Sequence, residues 1–189
     1  MTLHVFNPEH DIALAYDNKY FTAPHAGRQL RHDLDYLPVL WAEEGDFVLV
    51  ENVNSAQQHA LRLQRYGKQV HFVNKDDVEC LSEQIDKVLP WGWDSSVKFQ
   101  LEQMGVSGSV LPDDEVLADI RKLSNRQFSS DVLKELQGCL NHPILLGKAF
   151  YVDSLSDLEN ILKEKGKIVI KAPWSSSGRG VRYIDTVLD

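Results

Sequence analysis

The chain has 189 residues, of which 43% are hydrophobic and 25% charged. This is an ordinary globular composition, with enough chain for one large or two small domains. Twenty basic and 28 acidic side chains give a formal charge of −8, which argues against a protein whose main role is coating nucleic acid. Residues 148–189 hold 7 basic and 6 acidic side chains, whereas residues 1–147 hold 13 and 22. An anionic ligand is therefore expected in the C-terminal part.

Several classes of protein are disfavoured. No window approaches the roughly 18 consecutive apolar residues of a membrane span, and the first residues lack the basic and apolar regions of a signal peptide. The two cysteines, Cys80 and Cys139, have no nearby histidine at metal-ligand spacing. These features predict a soluble cytoplasmic protein with reduced thiols and with neither a membrane nor a nucleic-acid partner.

Residues 1–94 have the pattern of a small Rossmann-like α/β domain. Short apolar runs predict strands at 3–6, 47–50 and 70–73. Helical spacing predicts one helix at 26–37, stopped by Pro38, and a second helix capped by Asn54 or Ser55 and closed by Gly67. Strand, helix and strand at this spacing form a βαβ unit, which favours a parallel sheet.

The remaining chain divides into two segments. Residues 95–141 form a helical connector, with helices expected at 96–104, 114–123 and 129–136. In residues 142–189, strands are expected at 144–146, 150–152, 168–172 and 181–184. A capping-box pattern at 156–159 opens a helix that Gly166 ends.

The loop at 173–180 carries the clearest chemical signal. Its serines and glycines have small side chains, so that successive backbone N–H groups can turn toward one anion. Lys171 at the end of the preceding strand and Arg179 inside the loop add two cations, which suits a polyphosphate. The alternative is a solvated hairpin with a turn rich in Ser and Gly. Neither a Walker A motif nor a G-x-G-x-x-G motif after the first strand is present.

Residues 168–172 followed by the tract from Ser175 to Arg182 resemble the strand, glycine-rich loop and strand of the ATP-grasp superfamily. The tract is most similar to that of biotin carboxylase and carbamoyl-phosphate synthetase, although serines stand here where the family often has glycines. The resemblance implies that residues 142–189 are the first part of an ATP-grasp α+β subdomain. It also implies an ATP-dependent carboxylate ligase, with ATP and Mg²⁺ as cofactors. In that family a small-molecule carboxylate attacks the γ-phosphate, and an amine or thiol acceptor then displaces phosphate from the acylphosphate.

The resemblance also assigns residues to the nucleotide. Lys171 matches the strand lysine that contacts the phosphates of ATP. The loop that folds over the phosphates matches Ser175, Ser176, Ser177, Gly178, Arg179 and Gly180. A second basic residue is expected upstream, at the start of a helix; Arg126 is our choice and Lys148 its rival.

The family's metal ligands come well after the loop, and only nine residues follow Gly180. We therefore expect these ligands outside this chain, and the chain itself to be the N-terminal portion of a longer enzyme, inactive alone. The alternative is a non-catalytic nucleotide- or metabolite-binding module on the same scaffold.

A second polar cluster follows the first strand, where open α/β sheets place ligands. It is predicted to be a substrate pocket, a metal site or an ordinary polar loop. Its members are Asn7, Glu9, His10 and Asp11, with His25, Arg28 and Arg31 further along the chain. Trp91 and Trp93 flank Gly92 and either stack on a ligand or pack the domain junction.

Overall fold

The structure is a computed structural model that describes residues 1–63, 65–140, 147–175, 178 and 180–186. The chain divides into two compact units, residues 1–120 and 121–189. This boundary falls inside the segment that the sequence assigns to a helical connector. Within the described ranges, no helix is long and apolar enough to cross a membrane.

The first unit is built on a parallel four-stranded sheet with the order β3-β2-β1-β4. The strands are β1 (Thr2–Val5), β2 (Phe47–Leu49), β3 (His71–Val73) and β4 (Lys87–Pro90). The predicted parallel, Rossmann-like α/β architecture is confirmed, and its first three strands lie within about a residue of the expected positions. β4 was missed because Pro90 suggests a break. In the structure Pro90 is the last residue of an edge strand, a position that tolerates a missing N–H group.

Both faces of this sheet are covered by apolar side chains. In β2, Phe47 belongs to one buried cluster and Val48 to another, as the alternation of strand side chains requires. The α-helices of the unit are α1 (His10–Tyr16), α2 (His25–Leu34), α3 (Val53–Ala60), α4 (Lys75–Leu81) and α5 (Ser95–Gln103); α6 (Asp114–Leu123) begins in this unit, and its last residues belong to the second. Neither α1 nor α4 was predicted, since each has only seven residues.

Two details of the predicted helix ends are wrong. The N-cap of α3 is Asn52, whose side chain accepts a hydrogen bond from the N–H of Ser55 at 2.9 Å; it is neither Asn54 nor Ser55. α2 ends at Leu34, before a separate 3₁₀ turn at Leu37–Leu40 that contains Pro38. Asn52 precedes the first apolar residue of its helix, which is the usual place of an N-cap.

α5 belongs to the core of the first unit. Val97 and Leu101 pack with Leu3 and Val88 of the sheet, and Val106 after the helix joins the same cluster. The predicted helix 96–104 is thus confirmed as an element, but it buries its apolar side within the Rossmann-like unit. α6 has the predicted bounds of 114–123.

The second unit holds α7 (Arg126–Leu140), α8 (Leu155–Lys165) and an antiparallel hairpin of β5 (Ile168–Lys171) and β6 (Val181–Ile184). α7 covers the predicted helix 129–136 and is longer. α8 is capped by Ser154, two residues before the predicted cap, because Asp157 supplies the N–H that the Ser154 hydroxyl accepts at 3.2 Å. Gly166 ends the helix as expected, at φ 78°.

Residues 150–152 are not the predicted strand. Phe150 and Tyr151 are exposed, and the described sheet of this unit contains only β5 and β6. A short apolar run forms a strand only where a neighbour completes its backbone hydrogen bonds. The strand expected at 144–146 lies outside the described residues.

Leu101→Ala tests whether α5 is part of this core. Leu101 is 1% exposed, so its truncation should lower the free energy of unfolding by about 2–5 kcal/mol. The measurement is urea unfolding followed by tryptophan fluorescence, with Leu61→Ala at an exposed position as the control. A loss no larger than that of the control would contradict the packing described for α5.

Candidate functional site

The carboxyl ends of β1 and β4 are joined by the side chain of Asn7. In the sheet, β2 and β3 lie on one side of β1, whereas β4 lies on its other side. The strand order therefore reverses between β1 and β4. Asn7 is 1% exposed; its Nδ2 donates to the carbonyl of Gly92 at 2.8 Å and its Oδ1 accepts from the Gly92 N–H at 3.2 Å. In open α/β sheets, ligands bind in the crevice beside such a reversal.

Asp94 completes this junction. Its Oδ1 accepts the N–H groups of Ser96 and Val97 at 2.9 Å and so caps α5. Its Oδ2 lies 3.3 Å from Asn7 Nδ2 and 3.2 Å from His10 Nδ1. One carboxylate thus fixes the start of α5, the loop after β1 and the ring of His10.

A cavity of about 200 Å³ lies beside this junction. Its wall combines residues that follow β1, β2 and β4 with residues of α2 and the loop before it. The charged and polar lining residues are Glu9, Thr22, Arg28, Arg31, Glu51, Asp94, Ser96 and Gln100. Ala13, Phe21 and Val97 add apolar surface.

Glu9 and Arg31, which both line the cavity, form an ion pair. Glu9 Oε1 lies 2.7 Å from Arg31 Nη2, and the Glu9 side chain is 8% exposed. Burial raises the pKa of Glu9 despite the opposing effect of the Arg31 charge. Arg31 Nη1 also donates to Gln100 Oε1 at 3.3 Å. Glu9 Oε2 and Arg31 Nε, however, have no hydrogen-bond partner among the described residues.

Arg28 and Glu51 are the exposed charged residues of the wall. Arg28 Nη1 donates to the carbonyl of Ala23 at 2.5 Å. Glu51 Oε2 lies 2.8 Å from His32 Nδ1, and this hydrogen bond raises the pKa of His32. The backbone N–H of Glu51 donates to buried Asp35 at 2.7 Å, which holds the residue after β2 in place.

The structure brings together most of the second polar cluster predicted from sequence. Glu9, Arg28 and Arg31 line the cavity, and Asn7 and His10 build the adjoining junction. Asp11 and His25 lie in the first turns of α1 and α2 and are not part of the cavity wall. Within the described ranges, no group of three His, Cys, Asp or Glu side chains could hold a metal ion.

Sequence reasoning missed Asp94, Ser96, Gln100 and Glu51 as members of the site. The usable signal was Asp94 itself, an N-cap residue immediately before a predicted helix. Of the two flanking tryptophans, Trp93 packs against the core of the first unit. Trp91 is 61% exposed, and its ring lies 5.7 Å from that of Phe6 and 6.0 Å from that of Trp41.

In the second unit, the hairpin places the predicted phosphate loop between β5 and β6. Lys171 is exposed at the end of β5, opposite Val181. The N–H of Ala172 donates to Gly180 at 2.7 Å and closes the stem of the loop. Gly180 has φ 69°, and a Cβ there would lie 2.8 Å from that of Ala172, so both backbone conformation and space require glycine. Ser176, Ser177 and Arg179 lie outside the described residues.

Arg126 is hydrogen-bonded to this stem. Its Nη1 donates to the carbonyl of Ala172 at 2.5 Å and to Ser175 Oγ at 2.6 Å, and its Nη2 donates to the carbonyl of Ser175 at 2.7 Å. The backbone N–H of Arg126 donates to Pro173 at 3.0 Å. Between the two rival cations, the structure thus places Arg126 at the loop. Lys148 is exposed and makes no described hydrogen bond to the loop.

Trp174, in the same segment, makes contacts of its own. Its Nε1 donates to the carbonyl of Arg121 at 3.0 Å, and the Arg121 guanidinium lies 4.2 Å from the centre of the indole ring. Gly178 has φ 73°, and its carbonyl accepts the N–H of Val181 at 3.3 Å. The described part of the loop is therefore anchored at Pro173, Trp174 and Ser175.

No family model, curated protein or solved structure matches the chain significantly. The two candidate sites are therefore supported by their geometry alone. One is the cavity at the β1/β4 junction of the first unit, and the other is the hairpin loop of the second unit with Lys171 and Arg126.

Gly92→Ala tests the junction. A Cβ at position 92 would lie 2.3 Å from the His10 ring, so the ring or the backbone must shift. Overpacking of this kind should lower the free energy of unfolding by about 1–3 kcal/mol. Urea unfolding measures the loss, and Gly108→Ala, where no atom lies within 4 Å of the added Cβ, is the matched control. Equal stability of the two variants would contradict the close approach of His10.

Arg126→Ala tests the contacts with the loop stem. Removing hydrogen bonds of the charged guanidinium, each contributing about 1.5–3 kcal/mol, should accelerate amide hydrogen exchange at Ala172 by roughly tenfold or more. Lys134→Ala on the same helix, where the side chain is exposed, is the control and should leave that exchange unchanged. Unchanged exchange in Arg126→Ala would show that the stem holds without the guanidinium.

Proposed function

We propose that the chain binds the phosphates of ATP through Lys171 and the loop at 173–180, as part of an ATP-grasp type ATP-dependent carboxylate ligase. The resemblance of residues 168–182 to that superfamily motivates the proposal. The observation that carries it is the arrangement at the hairpin, where one cation is bound to the loop stem and another is exposed at the end of β5.

The two cations have different roles in this proposal. Arg126 donates three hydrogen bonds to Ala172 and Ser175, so it is a positioning residue that shapes the loop stem. Lys171 makes no described side-chain hydrogen bond and is left to neutralise phosphate oxygens as a compact point charge. The loop would add backbone N–H and serine hydroxyl donors to the same phosphates.

Catalysis in such an enzyme depends on positioning and charge neutralisation rather than on a protein nucleophile. Mg²⁺ bound with ATP would screen the phosphates, and no residue of this chain is assigned to it. The carboxylate substrate would attack the γ-phosphate while Lys171 and the loop hold the nucleotide, and an amine or thiol acceptor would then displace phosphate from the acylphosphate.

The second candidate function is nucleotide or metabolite binding without turnover on the same scaffold. Release of ADP by the full-length natural protein, in the presence of Mg-ATP with carboxylates and amines, separates the two, because a binding module would release none. Either function requires the hairpin to bind phosphates.

Lys171→Ala should weaken the binding of Mg-ATP at least about tenfold, since a hydrogen bond to a charged group contributes about 1.5–3 kcal/mol. Isothermal titration calorimetry of the 189-residue chain measures the affinity. Lys167→Ala is the matched control, because Lys167 is exposed just before β5 but is paired with Asp185 at 3.1 Å. Absent ATP binding, or equal affinity in both variants, would overturn the proposed site.

A further inference from the structure

The cavity at the β1/β4 junction has the size of a small metabolite. Its volume of about 200 Å³ far exceeds the roughly 10–15 Å³ that a single water needs. It is smaller than the 300–1,000 Å³, roughly, that pockets for drug-sized ligands occupy. A compact ligand of about amino-acid size therefore suits it better than a nucleotide does.

The wall offers both signs of charge. Arg28 and Arg31 supply guanidinium groups, and Glu9 and Glu51 supply carboxylates. Asp94 also lines the cavity, but its two oxygens are already occupied by α5, Asn7 and His10. Among the described contacts, Arg28 uses only its Nη1 for hydrogen bonding, so most of its N–H donors remain for a ligand.

Two buried polar atoms at this wall have no described partner. Glu9 and Arg31 meet through a single pair of atoms, which leaves Glu9 Oε2 as an unused acceptor and Arg31 Nε as an unused donor. Buried polar groups without partners are costly, so they mark positions where a ligand or ordered water is expected.

We propose that this cavity binds a small zwitterion of the α-amino acid class. Its carboxylate is held by Arg28 and Arg31, and its ammonium group by Glu9 and Glu51. A dicarboxylate would place its second negative charge against the carboxylates of Glu9 and Glu51. A diamine would place one of its positive charges against the guanidinium groups of the arginines. An α-amino acid carries an ammonium group and a carboxylate on one carbon, which matches a small cavity whose wall combines arginines with carboxylates. This inference does not depend on the nucleotide proposal, since all of its residues lie in the first unit.

The test uses the 189-residue chain and three matched probes. L-Alanine carries both charged groups, propanoate lacks the ammonium group and ethylamine lacks the carboxylate. The other common L-amino acids are screened beside alanine to find the preferred side chain. Ligand-observed NMR detects weak binding, and calorimetry then measures the affinity. At least one amino acid should bind, whereas propanoate and ethylamine should not.

Arg28→Gln should weaken the binding of the preferred amino acid about tenfold or more, because charge-assisted hydrogen bonds to its carboxylate are lost. Arg28 is exposed, so this variant should fold normally; Glu9→Gln is the second variant, with its folding checked by circular dichroism. Arg62→Gln at another exposed arginine of the same unit is the control. The Lys171→Ala variant should bind the amino acid with normal affinity. This result separates a failure of the amino-acid proposal from a failure of the ATP proposal.

Two results would overturn the inference. One is that no amino acid binds to the folded chain, which would leave ordered water as the partner of Glu9 Oε2 and Arg31 Nε. The other is equal binding of propanoate or ethylamine, or full affinity in Arg28→Gln, either of which would show that the two charged groups are not recognised together.

Discussion

The carboxylate of Asp94 is the interaction on which the first unit depends. It is 3% exposed, and its oxygens meet four polar groups from the loop after β1, from α1 and from the first turn of α5. Asn7 and His10 lie 87 and 84 residues from Asp94 in sequence, so the carboxylate joins distant parts of the chain. Satisfying them with one side chain fixes the end of β1, the end of β4 and the direction of α5 together.

The same constraint creates the cavity. Because β4 pairs with β1 on the side opposite β2, the chain segments after these strands diverge and leave a crevice at the reversal. Gly92 lets the ring of His10 lie against the backbone after β4, and Glu9 is thereby carried toward α2 and Arg31. The residues 1–147 have an excess of acidic side chains, yet this wall collects two arginines beside its carboxylates. Such local balance of charge depends on tertiary packing rather than on composition.

The sequence predicted the elements whose signal is local. Apolar runs identified β1, β2 and β3, and helical spacing together with its flanking residues identified α6. Signals that depend on distant partners failed. Pro90 suggested a break although β1 supplies its partner strand, and the apolar residues 150–152 suggested a strand although no described strand pairs with them. Asn7, Glu9 and Arg31 could be named as candidates because they follow a predicted strand in sequence. Asp94 and Gln100 could not, because their place in the site depends on the packing of α5 in the core of the first unit.

The two cations of the hairpin show why residue type matters as much as charge. Arg126 reaches three acceptors on two residues because its guanidinium is a planar fork, and a lysine at this position could not match that geometry. Lys171 carries a single charge on a flexible side chain at the end of β5. A guanidinium hydrogen-bonded to the backbone, like that of Arg126, would be unable to follow a ligand there. In the proposed ATP site, the arginine at the stem would hold the shape of the loop, and the lysine at the end of β5 would bind the phosphates. Exchanging their positions would keep the net charge of the unit and remove the hydrogen bonds that Arg126 makes to Ala172 and Ser175.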